Sequence, residues 1–181
     1  MSESTKLDLI RGDSHLTGRL LDDQLEGPLK IEEAGRPQAS LSYSQGELQG
    51  LSTLYHPNGK VSAQVPYQAG KTHGIASFFS PEGALQRKAG YRHGLLHGEA
   101  TNYFADGSVA EVEHNRDGVR DGLYQRFHQN GQIALSSRYR NGQLLDAGQP
   151  YAEDGRPLDA EGKPISRWRW WWLRREGPDE A

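Results

Sequence analysis

Residues 50–73, GLSTLYHPNGKVSAQVPYQAGKTH, and residues 74–97, GIASFFSPEGALQRKAGYRHGLLH, are two copies of one pattern. The next two copies, GEATNYFADGSVAEVEHNRDGVRD from Gly98 and GLYQRFHQNGQIALSSRYRNGQLL from Gly122, keep the same 24-residue step. A repeat of this length points to a supersecondary unit stacked on its neighbours, so it sets the architecture before any single motif does.

Single columns carry the register further than whole units. An apolar or aromatic residue recurs at Ile31, Tyr55, Phe79, Tyr103, Phe127 and Tyr151, and a glycine follows four residues later at Gly35, Gly59, Gly83, Gly107, Gly131 and Gly155. A second glycine recurs at Gly46, Gly70, Gly94, Gly118 and Gly142, three residues after Tyr43, Tyr67, Tyr91, Asn115 and Tyr139. Alternation places Leu51, Thr53 and Tyr55 on one face of a first strand, and Val61, Ala63, Val65 and Tyr67 on one face of a second. Between them HPNG, SPEG, ADG and HQNG are turn sequences, where glycine supplies positive φ. Each unit therefore reads as a β-hairpin, and the chain as a long antiparallel meander with one apolar face.

The ends depart from the period. The unit from Gly27 is one residue short, and after Gly155 the stretch RPLDAEGKPIS loses the apolar column. The expected division is an N-terminal segment 1–11, a repeat array 12–160 and a tail 161–181.

Composition narrows the function classes. With 34% hydrophobic residues, 25% charged residues and 22 glycines in 181, the chain suits a thin fold with a modest core. A net charge of −3 argues against general nucleic-acid binding, and no nucleic-acid partner is expected. The absence of cysteine removes disulfides, thiolate metal sites and cysteine nucleophiles. MSESTKLDLI lacks the basic start and apolar stretch of a secretory signal, and no run reaches the roughly 18 apolar residues of a membrane span. The expected location is cytoplasmic, or periplasmic where a leader has been removed.

The stretches YHPNG, FSPEG, YFADG and FHQNG, with YQAGKTHG and YRHGLLHG as second halves, resemble the bacterial variant of the MORN repeat. The likeness covers about four-fifths of the chain; Asn115 in place of a tyrosine and Asp146 in place of an opening glycine depart from it. It implies an elongated, twisted, single-layer antiparallel sheet of tandem hairpins, to which the tryptophan-rich tail is expected to add a C-terminal aromatic cap segment. Many bacterial proteins with this variant look like antitoxin or immunity proteins that bind a cognate toxin, whereas eukaryotic relatives look like membrane-associated or scaffold modules. Neither group brings a catalytic residue that maps onto this chain.

No catalytic, cofactor or metal site is expected. His93 and His97 flank a glycine turn rather than share a helix face, and no G-x-S-x-G, H-E-x-x-H or phosphate-binding glycine loop occurs. Glu111, Glu113, His114 and Asn115 break the repeat along one strand and read as tuning a surface. Charges of both signs, among them Arg87, Lys88, Glu111, Glu113, Asp117, Arg120, Asp121, Arg126 and Arg138, read as one polar face, first a solvated surface and second an electrostatically complementary interface.

The candidate partner-binding residues are the column Tyr55, Phe79, Tyr103 and Phe127, together with Trp168, Arg169, Trp170, Trp171 and Trp172. The column reads first as a core ladder with Val61, Leu85, Val109 and Ile133, and second as a contact strip, because a one-layer sheet leaves it partly open. The run RWRWWWLRR at 167–175 holds every tryptophan of the chain and forms an amphipathic element as a helix or as a strand. Three jobs are open to it: a lid on the last hairpins, a hook for a partner, or a foot on a membrane surface. The expectation is a non-enzymatic protein that occludes a protein toxin or effector by binding it. A membrane-associated or scaffold module is the alternative.

Overall fold

A computed structural model describes residues 3–175. The expected polar terminus beyond Arg175 and the first two residues lie outside that range.

The described residues form one open antiparallel sheet followed by one helix. Its strands are β1 (Ser4–Arg11), β2 (Ser14–Leu21), β3 (Gln24–Leu25), β4 (Gly27–Glu33), β5 (Arg36–Ser44), β6 (Glu47–Leu48), β7 (Gly50–Tyr55) and β8 (Val61–Gln68). They continue as β9 (Lys71–Thr72), β10 (Gly74–Phe79), β11 (Leu85–Arg92), β12 (Leu95–Tyr103), β13 (Val109–Arg116), β14 (Val119–Phe127), β15 (Ile133–Arg140) and β16 (Gln143–Asp146), and α1 spans Arg167–Arg175. Strand order follows chain order with no crossover, and the short β3, β6 and β9 pair with the strand before them. The sheet begins at Ser4, so residues 4–11 are its first strand.

Two kinds of turn keep the period. Between units, Gln45-Gly46, Ala69-Gly70, His93-Gly94, Asp117-Gly118 and Asn141-Gly142 all have both residues at positive φ, the type I′ geometry that matches strand twist. Each glycine N–H then reaches back one repeat: Gly70 to the Leu48 carbonyl, Gly94 to Thr72, Gly118 to Leu96 and Gly142 to Arg120, all at 2.8–2.9 Å. At the opposite end, His56 and Gly59 close a tight tip turn through His56 N–H to Lys60 O and Gly59 N–H to His56 O. Side chains tie successive tips together. Asn58 Nδ2 donates to Pro81 O and Asn130 Nδ2 to Glu153 O at 2.7 Å, while His56 Nε2 meets Phe79 O and His128 Nε2 meets Tyr151 O. These histidines hold one repeat to the next.

The buried face differs from the one that simple alternation predicts. Ser52, Ala76 and Ala100 are buried, whereas Leu51 and Ile75 on the other parity are 52% and 67% exposed. A register shift follows at the tip end of the hairpins: Leu54 pairs with Ala63, but the next residue, Tyr55, pairs with Val61. The same shift recurs at Phe79–Leu85, Tyr103–Val109 and Phe127–Ile133. The extra residue, a β-bulge, lies on the second strand at Ser62, Gln86, Ala110 and Ala134, and it separates Val61 from the alternation of Ala63, Val65 and Tyr67. The aromatic and aliphatic columns are thus direct cross-strand partners, and the aromatic residues are half-buried.

Cross-strand pairing defines one row along the buried face: Leu9, Leu16, Ile31, Ala39, Leu54, Ala63, Phe78, Arg87, Asn102, Glu111, Arg126, Leu135. A parallel row runs Ala76, Ala89, Ala100, Glu113, Tyr124, Ser137. The first part of this face is apolar; its later part carries charge.

After β16 the strands shrink to isolated bridges, Leu135–Pro150, Tyr151–Pro157 and Leu158–Pro164. Two tip-type turns follow each other here, closed by Ala152 N–H to Arg156 O and by Asp159 N–H to Lys163 O. AEDGRPL and DAEGKPI are therefore a seven-residue continuation of the tip turn without its strands. Ser166 then starts α1: its Oγ accepts from Arg169 N–H, and its carbonyl accepts from Trp170 N–H.

Candidate interaction site

The charged part of the buried face is a connected cluster. Glu113 on β13 is 6% exposed. Arg87 on β11 donates from Nη2 to Glu113 Oε1 at 2.9 Å, and Arg120 on β14 donates from Nε to Glu113 Oε2 at 2.8 Å. Arg87 Nη1 also donates to Asn102 Oδ1 at 2.9 Å, and Asn102 Nδ2 to Glu111 Oε1 at 3.2 Å. Tyr124 Oη donates to the other Glu111 oxygen at 3.0 Å. The Arg120 guanidinium lies 4.7 Å from the Tyr124 ring centre and 5.5 Å from that of Tyr139. Those rings meet edge to face at 6.1 Å.

Burial pushes the Glu113 carboxyl upward, but hydrogen bonds and charge from Arg120 and Arg87 outweigh it and hold the group below its ordinary value. Glu113 in turn raises Arg120 further above its usual range. Burial, then the neighbouring Glu111 carboxylate, raises the Tyr124 phenol. Near neutral pH Glu113 is thus an anion, Arg120 a cation and Tyr124 neutral.

The placement of these residues corrects the single solvated polar face expected from sequence. Arg87 and Lys88 are neighbours in the chain and point to opposite sides. Arg87, Glu111, Glu113, Arg120 and Arg126 share the buried face, whereas Lys88 lines up with Ser77 and Thr101 on the other. The repeat-breaking residues Glu111, Glu113 and Asn115 sit where the equivalent unit has Ala63, Val65 and Tyr67. Sequence singled these breaks out; what it missed was that Arg87 and Arg120, from two other strands, close on them. Their signal was present as departures from Ala63 and Thr72 at the same repeat positions.

The second set of candidates is α1. Trp168, Trp171 and Trp172 are 72%, 49% and 45% exposed and form a cluster, with Trp168–Trp172 at 5.7 Å and Trp171–Trp172 at 5.9 Å between ring centres. Arg169 is exposed and Trp170 half-buried. Trp170 and Trp171, with Arg167, line a shallow depression of about 390 Å³ against Asp154 and Arg156 of the penultimate turn. The helix stands against that turn through Trp170 and Trp171. The column Tyr55, Phe79, Tyr103 and Phe127 lies on the tip side of the sheet, separate in sequence and strand position from α1.

Open depressions of 320–450 Å³ mark the surface of the described residues. Among the described residues no three His, Asp or Glu side chains gather in a metal-binding arrangement. Among them, too, no helix is long and apolar enough to cross a membrane.

Comparison with known proteins agrees with this geometry. A family model described as the MORN repeat variant matches residues 48–69 and 120–141. The first match covers the hairpin β7–β8 and the second covers β14–β15, equivalent hairpins three 24-residue periods apart. The chain is thus a β-hairpin repeat protein, two of whose hairpins are similar to the MORN repeat variant. A search of curated proteins finds no match.

Proposed function

We propose that this chain is a non-enzymatic protein-binding module. Its working surface is the sheet face that carries Arg87, Glu113 and Arg120; the half-buried column Tyr55, Phe79, Tyr103 and Phe127 at the hairpin tips is a second contact strip. One observation carries the reading: an ion cluster occupies positions where an equivalent repeat holds Ala63, Val65 and Thr72. Burying Glu113 between two arginines costs desolvation that an apolar residue avoids, so the cluster is a poor device for stability alone. Fixed donors on a rigid sheet suit a partner of complementary charge, because little reordering is needed on binding.

The likeness to the bacterial repeat variant extends this reading to an antitoxin or immunity protein that occludes a cognate toxin or effector. Co-expression with the product of the adjacent reading frame tests it. Growth arrest relieved by this chain, together with a stable purified complex, supports the reading. A harmless neighbour, or a toxic one that this chain neither binds nor neutralises, rejects it.

The exposed cluster Trp168, Trp171 and Trp172 favours a second reading, a peripheral membrane or scaffold module that uses α1. Sedimentation with anionic vesicles separates the two. Salt-sensitive lipid binding that disappears on truncation after Ser166 would favour the membrane reading.

A further inference from the structure

We propose that β1 is a self-complementary edge and that a second copy of this chain pairs with it, antiparallel, about a two-fold axis through Leu7. β1 stands at one end of the strand order, with β2 as its single partner in the sheet. Edges of this kind are normally blunted by bulges, proline or short length. β1 is eight residues long, contains no proline, and pairs with β2 over its whole length without a register shift. Leu9 and Ile10 are 50% and 70% exposed on it.

The backbone restricts the registers available. Glu3 O accepts from Asp22 N–H, so Glu3 directs its backbone groups toward β2. By alternation Thr5, Leu7, Leu9 and Arg11 do the same, and Ser4, Lys6, Asp8 and Ile10 present N–H and C=O outward. A symmetric pairing must match outward residues with outward residues, so its axis passes through a residue and never between two.

Charge then selects one of these registers. With the axis at Leu7, Glu3 faces Arg11 of the second copy and Lys6 faces its Asp8, each twice by symmetry. Ser4 faces Ile10, Thr5 faces Leu9, and Leu7 faces its own mate. Moving the axis to Lys6 opposes lysine to lysine; moving it to Asp8 opposes aspartate to aspartate. Registers centred on Thr5 or Leu9 match no opposite charges. Within one copy Lys6 stands opposite Arg19, a like charge, and turns to Asp8 at 2.7 Å. A second Asp8 would give it a cross-strand partner.

The apolar face also continues through this edge. Leu9 is the end of the row that runs through Leu16, Ile31 and Leu54, and Leu7 lies opposite Gly18 on that same face. Pairing sets Leu7 against Leu7 at the closest, non-hydrogen-bonded spacing. It also exchanges about eight backbone hydrogen bonds, two for each outward pair.

The test is the molar mass of the full chain by sedimentation velocity over a concentration series, with three charge variants. The native chain and the double variant K6D/D8K are expected as dimers. Lys6→Asp alone and Asp8→Lys alone, which oppose like charges, are expected as monomers with unchanged circular dichroism. The chain has no cysteine, so Leu7→Cys gives a second readout: oxidation should yield a covalent dimer, because that pair lies about 4.5 Å apart between Cα atoms. Leu9→Cys, facing Thr5, should not. A monomeric native chain at every concentration overturns the proposal. So does a dimer indifferent to both single swaps, or a folded double variant that stays monomeric.

Discussion

The Arg120 Nε donates to Glu113 Oε2 at 2.8 Å, and the carboxylate it holds lies in a row otherwise begun by Ala76, Ala89 and Ala100. Strands β11, β13 and β14 are thereby joined on one face by charge, where their neighbours are joined by small side chains. Stability and recognition make different demands on this cluster, and substitution separates them. Glu113→Val alone strands two arginines and should lower unfolding free energy by about 1–3 kcal/mol in urea denaturation. Combining it with Arg87→Ala and Arg120→Thr restores the residues of the equivalent unit. That triple variant should recover stability to within about 1 kcal/mol of native while losing affinity for the protein partner. A triple variant that still binds would remove the cluster from the interface.

Acid should expose the same carboxylate. Its pKa is lowered in the folded chain relative to an ordinary value of 4.5, so the ionised form is favoured by folding. Its contribution is fully present above that value and is lost as pH falls through the lower folded pKa. Denaturant midpoints measured from pH 6 down to about pH 3 should therefore fall more steeply for the native chain than for Glu113→Gln. Parallel curves would mean that the arginines do not stabilise the anion.

The inter-unit turns offer a gain. Ala69 holds φ at 48°, a region that costs an ordinary L-residue about 1 kcal/mol and suits asparagine, which stands at the equivalent Asn141. Ala69→Asn should raise stability by roughly 0.5–1 kcal/mol, seen as a Tm higher by a few degrees. A lower Tm would show that the Ala69 side chain has a role the turn geometry does not require.

Tip stitching predicts a local loss that propagates to the next repeat. Asn58 bonds Pro81 O through Nδ2 and accepts from Lys60 N–H through Oδ1. Asn58→Ala should cost about 1 kcal/mol and accelerate amide exchange at the following tip, around Gly83, more than at Gly131. Uniform exchange along the array would argue against neighbour-by-neighbour coupling.

Sequence periodicity made the hairpins, both turn columns and the strand order legible, because each depends on glycine and apolar residues at fixed steps. It placed Val61 on one face with Ala63, Val65 and Tyr67, since the extra residue at Ser62, and at Gln86, Ala110 and Ala134 in the later hairpins, leaves no mark in a two-residue alternation. The ion cluster was half legible. Glu111 and Glu113 stood out as breaks, but joining them to Arg87 and Arg120 needs register across three strands. The turns AEDGRPL and DAEGKPI escaped for a different reason: their seven-residue spacing is hidden inside a search for 24.

The tryptophans distinguish a lid from a hook. If α1 were the cover of the last hairpins, removing it would expose apolar surface and unfold the C-terminal repeats. In the structure Trp168 is 72% exposed and Trp171 and Trp172 about half exposed, and Trp170 and Trp171 line the depression against the Asp154–Arg156 turn. Truncation after Ser166 should therefore lower stability by no more than about 1 kcal/mol, the scale of a peripheral contact. Binding should suffer far more, because exposed tryptophans at an interface centre commonly carry 2 kcal/mol or more. All four tryptophans lie in α1, so intrinsic fluorescence reports on this element alone. Emission of the free chain should be readily quenched by acrylamide, and the partner or vesicle that α1 engages should protect it. A truncated chain that melts well below the native one would return α1 to the role of a lid.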